Sequence, residues 1–187
     1  MDTGKTILFV AGFAHPPNEE AACWFVASIL PLVLARNPAA RLAIVGSNPT
    51  SRVRALAGPA VSVHADVSDA ELADWYARAR VAAVPLLFGA GVKLKVVEAM
   101  VAGLPLVTTP IGAQGLDGLD SVAAVKRDAA SFAASLVHLL TDDRGWAHQA
   151  MVQSAYAEAR FSTRALAESL LGAMAAPAKA PVEAPAA

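Results

Sequence analysis

The sequence predicts one α/β domain, a parallel sheet of about six strands with helices on both faces, and three observations carry that expectation. Apolar runs of strand length alternate with helical stretches from the start of the chain, the beat of βαβ units. Right-handed crossovers between such strands give a parallel sheet covered on both sides. The chain has 187 residues, 56% apolar and 17% charged, the size and composition of a single globular domain with a sizeable core. A Rossmann-like domain over residues 1–174 is the expected architecture, followed by a tail.

Taken in order, Ile7–Val10 reads as the first strand, Asn18–Arg36 as the first helix and Arg41–Val45 as the second strand. Val61–Val63, a helix over Asp69–Ala79, Val81–Val84, a helix over Lys93–Ala102 and Pro105–Thr108 continue the pattern. Ser68 and Glu71 have the spacing of a capping box, in which each side chain satisfies a free N–H of the first helical turn. Pro105 suits the first residue of a strand, where no ladder bond needs its missing N–H. Val122–Val125 is a weaker strand. Asp128–Leu140, Trp146–Arg160 and Thr163–Met174 carry helical spacing, with Asp142, Asp143 and Gly145 separating the first two. These last helices are expected on one face of the sheet. Residues 175–187, rich in Pro and Ala with Val182 as the one large apolar residue, have little to bury and are expected to be disordered.

Composition excludes several classes of function. Fifteen Lys and Arg against sixteen Asp and Glu, net charge −1, provide no basic field for a nucleic acid or an anionic membrane surface. Cys23 is the only cysteine, so neither an internal disulfide nor a cysteine-built metal site is expected, and a reducing cytoplasm suits the chain. Met1–Lys5 is short and polar, with no signal-peptide pattern. The apolar, uncharged run Ala21–Ala35 falls short of the roughly 20 residues a bilayer span needs, so no transmembrane segment is expected.

In parallel α/β sheets ligands bind beyond the carboxyl ends of the strands, which directs attention to the loops there. After the first strand comes Gly12-Phe13-Ala14-His15-Pro16-Pro17-Asn18, where Gly12 permits close approach, His15 can face the cleft and Asn18 is a good helix N-cap. An ordinary proline-closed turn fits the same residues. The fourth-loop segment, Pro85 to Met100, carries Gly89 and Gly91 into a helix start. The N–H groups of Gly91, Val92 and Lys93 and the Lys93 ammonium suit an anion. Glu98, further along the helix, is placed to accept hydroxyl protons from a ribose, and Lys95 lies between. Together these describe a nucleoside diphosphate site, with a solvated helix edge as the plain alternative. In the fifth loop the hydroxyls of Thr108 and Thr109 and the glycines from Gly112 onward are expected to line the same crevice. No G-x-G-x-x-G follows the first strand, so a nicotinamide site lacks support. His15, His64, His138 and His148 are scattered, and no nucleophile–base–acid triad is evident.

The stretch "PLLFGAGVKLKVVEAMVAGLPLVTTPIGAQGL", with "FVAGFAHPPNEEAACWFVASILPLV" and "LAIVGSNP" before it, resembles the donor-binding half of group 1 (family 4) glycosyltransferases of the GT-B fold. The resemblance implies a domain that binds a nucleotide-diphosphate sugar for retaining glycosyl transfer, without a bound metal or other cofactor. It also implies an N-terminal acceptor-binding domain in cis or in trans, a role in polysaccharide biosynthesis and a place in the cytoplasm, with the inner membrane face as an alternative. By position it implies that Glu98 binds the donor ribose and that Gly91, Val92 and Lys93 bind the diphosphate; the reading of the strand-end loops adds Gly12, His15 and Gly112 as residues expected to face the same ligand. Ala90 stands where the family has the first glutamate of its pair, and Leu87 where many members have arginine. Those departures keep open a second expectation, a non-catalytic GT-B half acting as an interaction module.

Overall fold

The computed structural model describes residues 5–165 and 167. Its six strands are β1 (Thr6–Val10), β2 (Arg41–Gly46), β3 (Val61–Ala65), β4 (Val81–Val84), β5 (Leu106–Thr108) and β6 (Ala124–Val125). They lie in the order β3-β2-β1-β4-β5-β6 with every neighbouring pair parallel. In the centre Leu8 stands beside Ala43 on one side and Ala82 on the other. The helices are α1 (Pro16–Trp24), α2 (Leu30–Arg36), α3 (Ser51–Arg54), α4 (Asp69–Arg78), α5 (Leu94–Val101), α6 (Ala129–Thr141) and α7 (Asp143–Phe161).

The strand order reverses between β1 and β4. Crossovers run one way from β1 to β3 and the other way from β4 to β6, so right-handedness puts α1 and α2 on one face and α5 on the other. Ile7, Leu8, Phe9, Ile44, Val81 and Leu106 are buried in the sheet, with Phe25, Ile29, Phe132 and Leu136 packed over it. Edge-on contacts of Phe132 with Trp24 and Phe25, 6.4 and 6.3 Å between ring centres, lock α6 to the first helical segment.

Local chemistry explains where the elements depart from expectation. α1 begins at Pro16, not Asn18, because a proline in the first turn has no N–H to leave unpaired. Between α1 and α2 the helix widens into a π turn, Phe25–Ile29, closed by the Leu30 N–H on the Phe25 carbonyl. Pro31 explains it: it has no N–H for an α-helical bond, and its ring would strike the carbonyl one turn back. The continuous helix Pro16–Arg36 is long and apolar enough to cross a membrane by length and composition. Its apolar side, Ala21, Phe25, Ile29 and Val33, packs into the core of the domain. α3 was not foreseen; it is one short turn capped by Thr50, whose hydroxyl accepts from Val53 N–H at 3.2 Å. β6 is shorter than Val122–Val125, because the N–H groups of Val122 and Ala123 turn back to the Leu119 carbonyl.

The C-terminal helices do not share a face. α6 packs on α2 and the sheet, whereas α7 packs on α5. α7 reaches the other side by passing the amino ends of the strands, where Trp146 donates to the Arg80 carbonyl (2.6 Å) and Gln149 to the Leu106 carbonyl (2.9 Å). Asp142 alone separates the two helices, capping α7 by accepting from the N–H groups of Arg144 and Gly145. Gly145 is a helical residue here, and a Cβ on it would stand 2.7 Å from His138 Nε2. The expected helix Thr163–Met174 lies outside the described residues save at 163–165 and 167, and so does the expected tail 175–187.

Candidate functional site

The reversal of strand order leaves a crevice beyond the carboxyl ends of β1 and β4, since their connections depart to opposite faces. The loop after β1 forms one wall. Phe13 is buried and stacked on Phe9 (6.3 Å between ring centres, 9° between planes), and its N–H donates to the Ser47 carbonyl at 2.9 Å. Gly12 lies against the loop after β2, where a Cβ on it would stand 3.4 Å from Ser47 Oγ, and turns its carbonyl to the Asn18 side chain. His15 is the exposed N-cap residue of α1, and its ring makes no cap bond.

The other wall is the loop from β4 to α5. Gly89 (φ 128°) and Gly91 (φ 76°) adopt backbone that other residues rarely hold, and they turn the chain into α5 with Lys93 as N-cap. The Lys93 ammonium donates to the Gly91 carbonyl, which gathers Gly91, Val92 and Lys93 at the helix start. The N–H groups of Leu94 and Lys95, in the first turn of α5, have no acceptor within the helix. Gly115 (φ 74°) brings the fifth loop onto Val92, where a Cβ would stand 2.7 Å from Cγ2.

Asn18 is not a cap. From the first turn of α1 its amide donates to the Gly12 carbonyl (2.7 Å), and its Oδ1 accepts from Lys95 Nζ (2.7 Å). One side chain therefore joins the two walls. Lys95 is partly buried, with Nζ 5.9 Å from the centre of the Phe9 ring, and that burial brings its pKa down to about 8. Glu98 on the same helix opposes the shift and Lys93 adds to it. Burial also lowers the Lys93 pKa. Glu98 is exposed, and its Oε2 accepts from the hydroxyl of buried Tyr76 on α4 at 3.0 Å. Burial, then the Glu98 carboxylate, push the Tyr76 hydroxyl pKa well up.

The fifth loop contributes less to the crevice than expected. Thr108 and Thr109 are buried, donating to the carbonyls of Val84 (2.9 Å) and Leu86. Gly112 is buried beside them, where a Cβ would fall 2.0 Å from Thr108 Oγ1. It serves close packing. Thus the structure gathers Gly91, Val92 and Lys93, links Gly12 to the same helix through Asn18, sets Glu98 one turn beyond Lys95 and keeps Gly112 beneath the surface. Asn18 and Tyr76 escaped sequence reasoning in these roles: an asparagine before a helix reads as a cap, and a tyrosine at helical spacing reads as core. A surface hollow bounded by Met100, Val101, Ser154 and Phe161 lies between α5 and α7, at the far end of α5 from Lys93.

Comparison with known proteins agrees with this architecture. The family model described as "Glycosyl transferases group 1" matches residues 4–142. An uncharacterized 44.6 kDa protein in the cps region of Klebsiella pneumoniae is 32% identical over 116 residues, which make up 58% of this chain and 30% of that protein. Among solved structures, S. aureus TarM in complex with UDP superposes with a TM-score of 0.75 at 14% identity, covering 93% of this chain and 36% of TarM. Sucrose-phosphate synthase from Thermosynechococcus elongatus gives 0.70 at 23% identity, covering 91% and 45%. HepE of Anabaena, in complex with UDP and glucose, gives 0.68 at 16% identity, covering 92% and 48%. The matched stretches span between 30% and 48% of the length of these proteins.

Proposed function

The chain belongs to the group 1 glycosyl transferases, and from that membership we propose that it is their donor-binding unit, holding a nucleotide-diphosphate sugar in the crevice between β1 and β4. The observation that carries this reading is the start of α5: two positive-φ glycines, free first-turn N–H groups and Lys93 converge where the strand order reverses. Partial positive charge at a helix N-terminus and a lysine beside it favour a diphosphate. Both favour it more as negative charge grows on the leaving group, which is what transfer of the sugar requires. Glu98 suits the ribose hydroxyls, because Tyr76 occupies one carboxylate oxygen and leaves the other to accept.

The same reading includes retention at the anomeric carbon, no metal or other cofactor, and a separate acceptor-binding domain facing the open crevice. The cps-region relative supports polysaccharide biosynthesis as the process, and the cytoplasm is the matching compartment. Ala90 in place of the family's first glutamate and the exposed Leu87 and Phe88 favour the second reading, an apolar lip covered by a partner in a non-catalytic module.

Titration of UDP, GDP and ADP, and of their sugars, into this chain by calorimetry tests the site. One nucleotide series should bind saturably, and Glu98→Ala and Lys93→Ala should each weaken it about tenfold. Absence of saturable binding, or binding indifferent to both substitutions, overturns the assignment.

A further inference from the structure

Lys93 and Lys95 differ in how the fold treats them. Lys93 bonds back to its own loop at the Gly91 carbonyl. Lys95 is drawn inward, beside the Phe9 ring, and the one hydrogen bond its ammonium makes among the described residues goes to Asn18 Oδ1 at 2.7 Å. An ammonium has three donors, so two remain. A lysine paired for structure alone is best met by a carboxylate, which cancels the charge that burial makes costly. Asn18 supplies direction without cancelling charge. Its own orientation is fixed, because only Nδ2 can donate to the Gly12 carbonyl and only Oδ1 can accept from the ammonium. The groups facing Lys95 from β1 and α1, Phe9 and Asn18, are uncharged, and the charges that act on it lie on its own segment, Glu98 and Lys93.

We propose that Asn18 is a positioning residue that holds the Lys95 ammonium at the crevice between β1 and β4 with no carboxylate bonded to it, so that Lys95 takes up the diphosphate of the ligand. This rests on the nucleotide-sugar reading for the identity of the ligand, and on geometry for the pair itself. Burial supports it independently, since an ammonium whose pKa lies at about 8 changes charge within a degree of alkalinity that binding can report. If only the protonated form binds, affinity for a diphosphate falls about tenfold between pH 7 and pH 9.

The test pairs two measurements on this chain. The first is an NMR titration of the Lys95 side chain in the unmodified protein, Asn18→Ala and Asn18→Asp, with Lys95→Met to assign the signal. The second is the affinity for UDP from pH 6.5 to 9.5, with inorganic pyrophosphate at pH 7 as a probe that lacks a base and ribose. The expected midpoint near 8 drops in Asn18→Ala, which removes a bond to the charged form, and rises by about a unit or more in Asn18→Asp. The UDP profile moves with the midpoint in each variant, and Lys95→Met loses both the pH dependence and about tenfold in affinity. An asparagine that only ties α1 to the loop would lower stability and leave the Lys95 midpoint where it was, and that result overturns the proposal. UDP binding that ignores both Asn18 and Lys95 overturns it while leaving the nucleotide reading intact. Lys95-dependent binding of pyrophosphate without binding of any nucleotide upholds it and overturns the nucleotide reading. Failure of both probes to bind overturns both.

Discussion

An ammonium with a pKa near 8 in the folded protein and near 10.5 in the unfolded chain opposes folding wherever both forms are charged. Below pH 8 the opposition is full. Between pH 8 and 10.5 the folded protein has released a proton that the unfolded chain still holds, so stability rises with pH across that window. The shift corresponds to about 3 kcal/mol at the outside, less what solvent at the crevice mouth screens. Lys95→Met should therefore be more stable than the unmodified chain at pH 7 by about 1–2 kcal/mol in urea denaturation, and its stability should no longer climb from pH 8 to 10.5. A less stable Lys95→Met at pH 7 would show that Lys95 serves the fold. Tyr76 behaves oppositely, since its hydroxyl is buried and bonded to a carboxylate. Tyr76→Phe should cost about 1–2 kcal/mol and should loosen nucleotide binding less than Glu98→Ala does.

At the scale of elements, what the sequence made legible was what local chemistry decides. The Ser68–Glu71 capping box forms as its spacing requires, with the Ser68 N–H and hydroxyl both donating to Glu71 Oε2 and the Glu71 N–H to Ser68 Oγ. The six strand positions follow from apolar runs that only a sheet covered on both faces can bury. What escaped was decided by distant partners. Gln153 is a polar residue on α7, yet it is buried, accepting from the Leu106 N–H (3.2 Å) and donating to the Val122 carbonyl (3.2 Å). It completes the hydrogen bonding at the amino end of β5, where the short β6 leaves groups unpaired. Gln153→Leu keeps the volume and strands both backbone groups, so a loss of about 2–4 kcal/mol is expected in denaturant melts. Gly46, the last residue of β2, owes its place to the backbone beside it. With φ at 153°, a Cβ there would fall 1.7 Å from the Ala11 carbonyl oxygen, where the carboxyl ends of β1 and β2 lie side by side. Gly46→Ala must part those strands, and a loss of about 3 kcal/mol or more in thermal or urea unfolding is the expected outcome. Unchanged stability would mean that the close approach is not held in solution.

For the whole molecule, placement of the site follows from topology more than from any one motif. Reversal between β1 and β4 puts Asn18 on a helix of one face and Lys95 on a helix of the other, far apart in sequence and 2.7 Å apart in space. That is why the fourth loop was legible in the sequence and its partner across the crevice was not: glycines and lysines announce themselves locally, whereas an asparagine acquires meaning only when the sheet brings it there. Both walls rest on one continuous core, so the described domain should unfold in a single cooperative transition. A ligand that bridges the walls binds the folded form alone and stabilises all of it. At a hundredfold its dissociation constant, a nucleotide sugar adds about 2.7 kcal/mol, which for a chain of this size raises the melting temperature by about 5–10 °C. Scanning calorimetry with and without the tightest nucleotide found by titration should show that rise with one transition retained. In Lys93→Ala at the same ligand concentration, with affinity tenfold weaker, the added stability falls to about 1.4 kcal/mol and the rise roughly halves. A ligand-induced shift confined to part of the transition would mean that the two walls unfold separately, and that the bridge between Asn18 and Lys95 does not unite them.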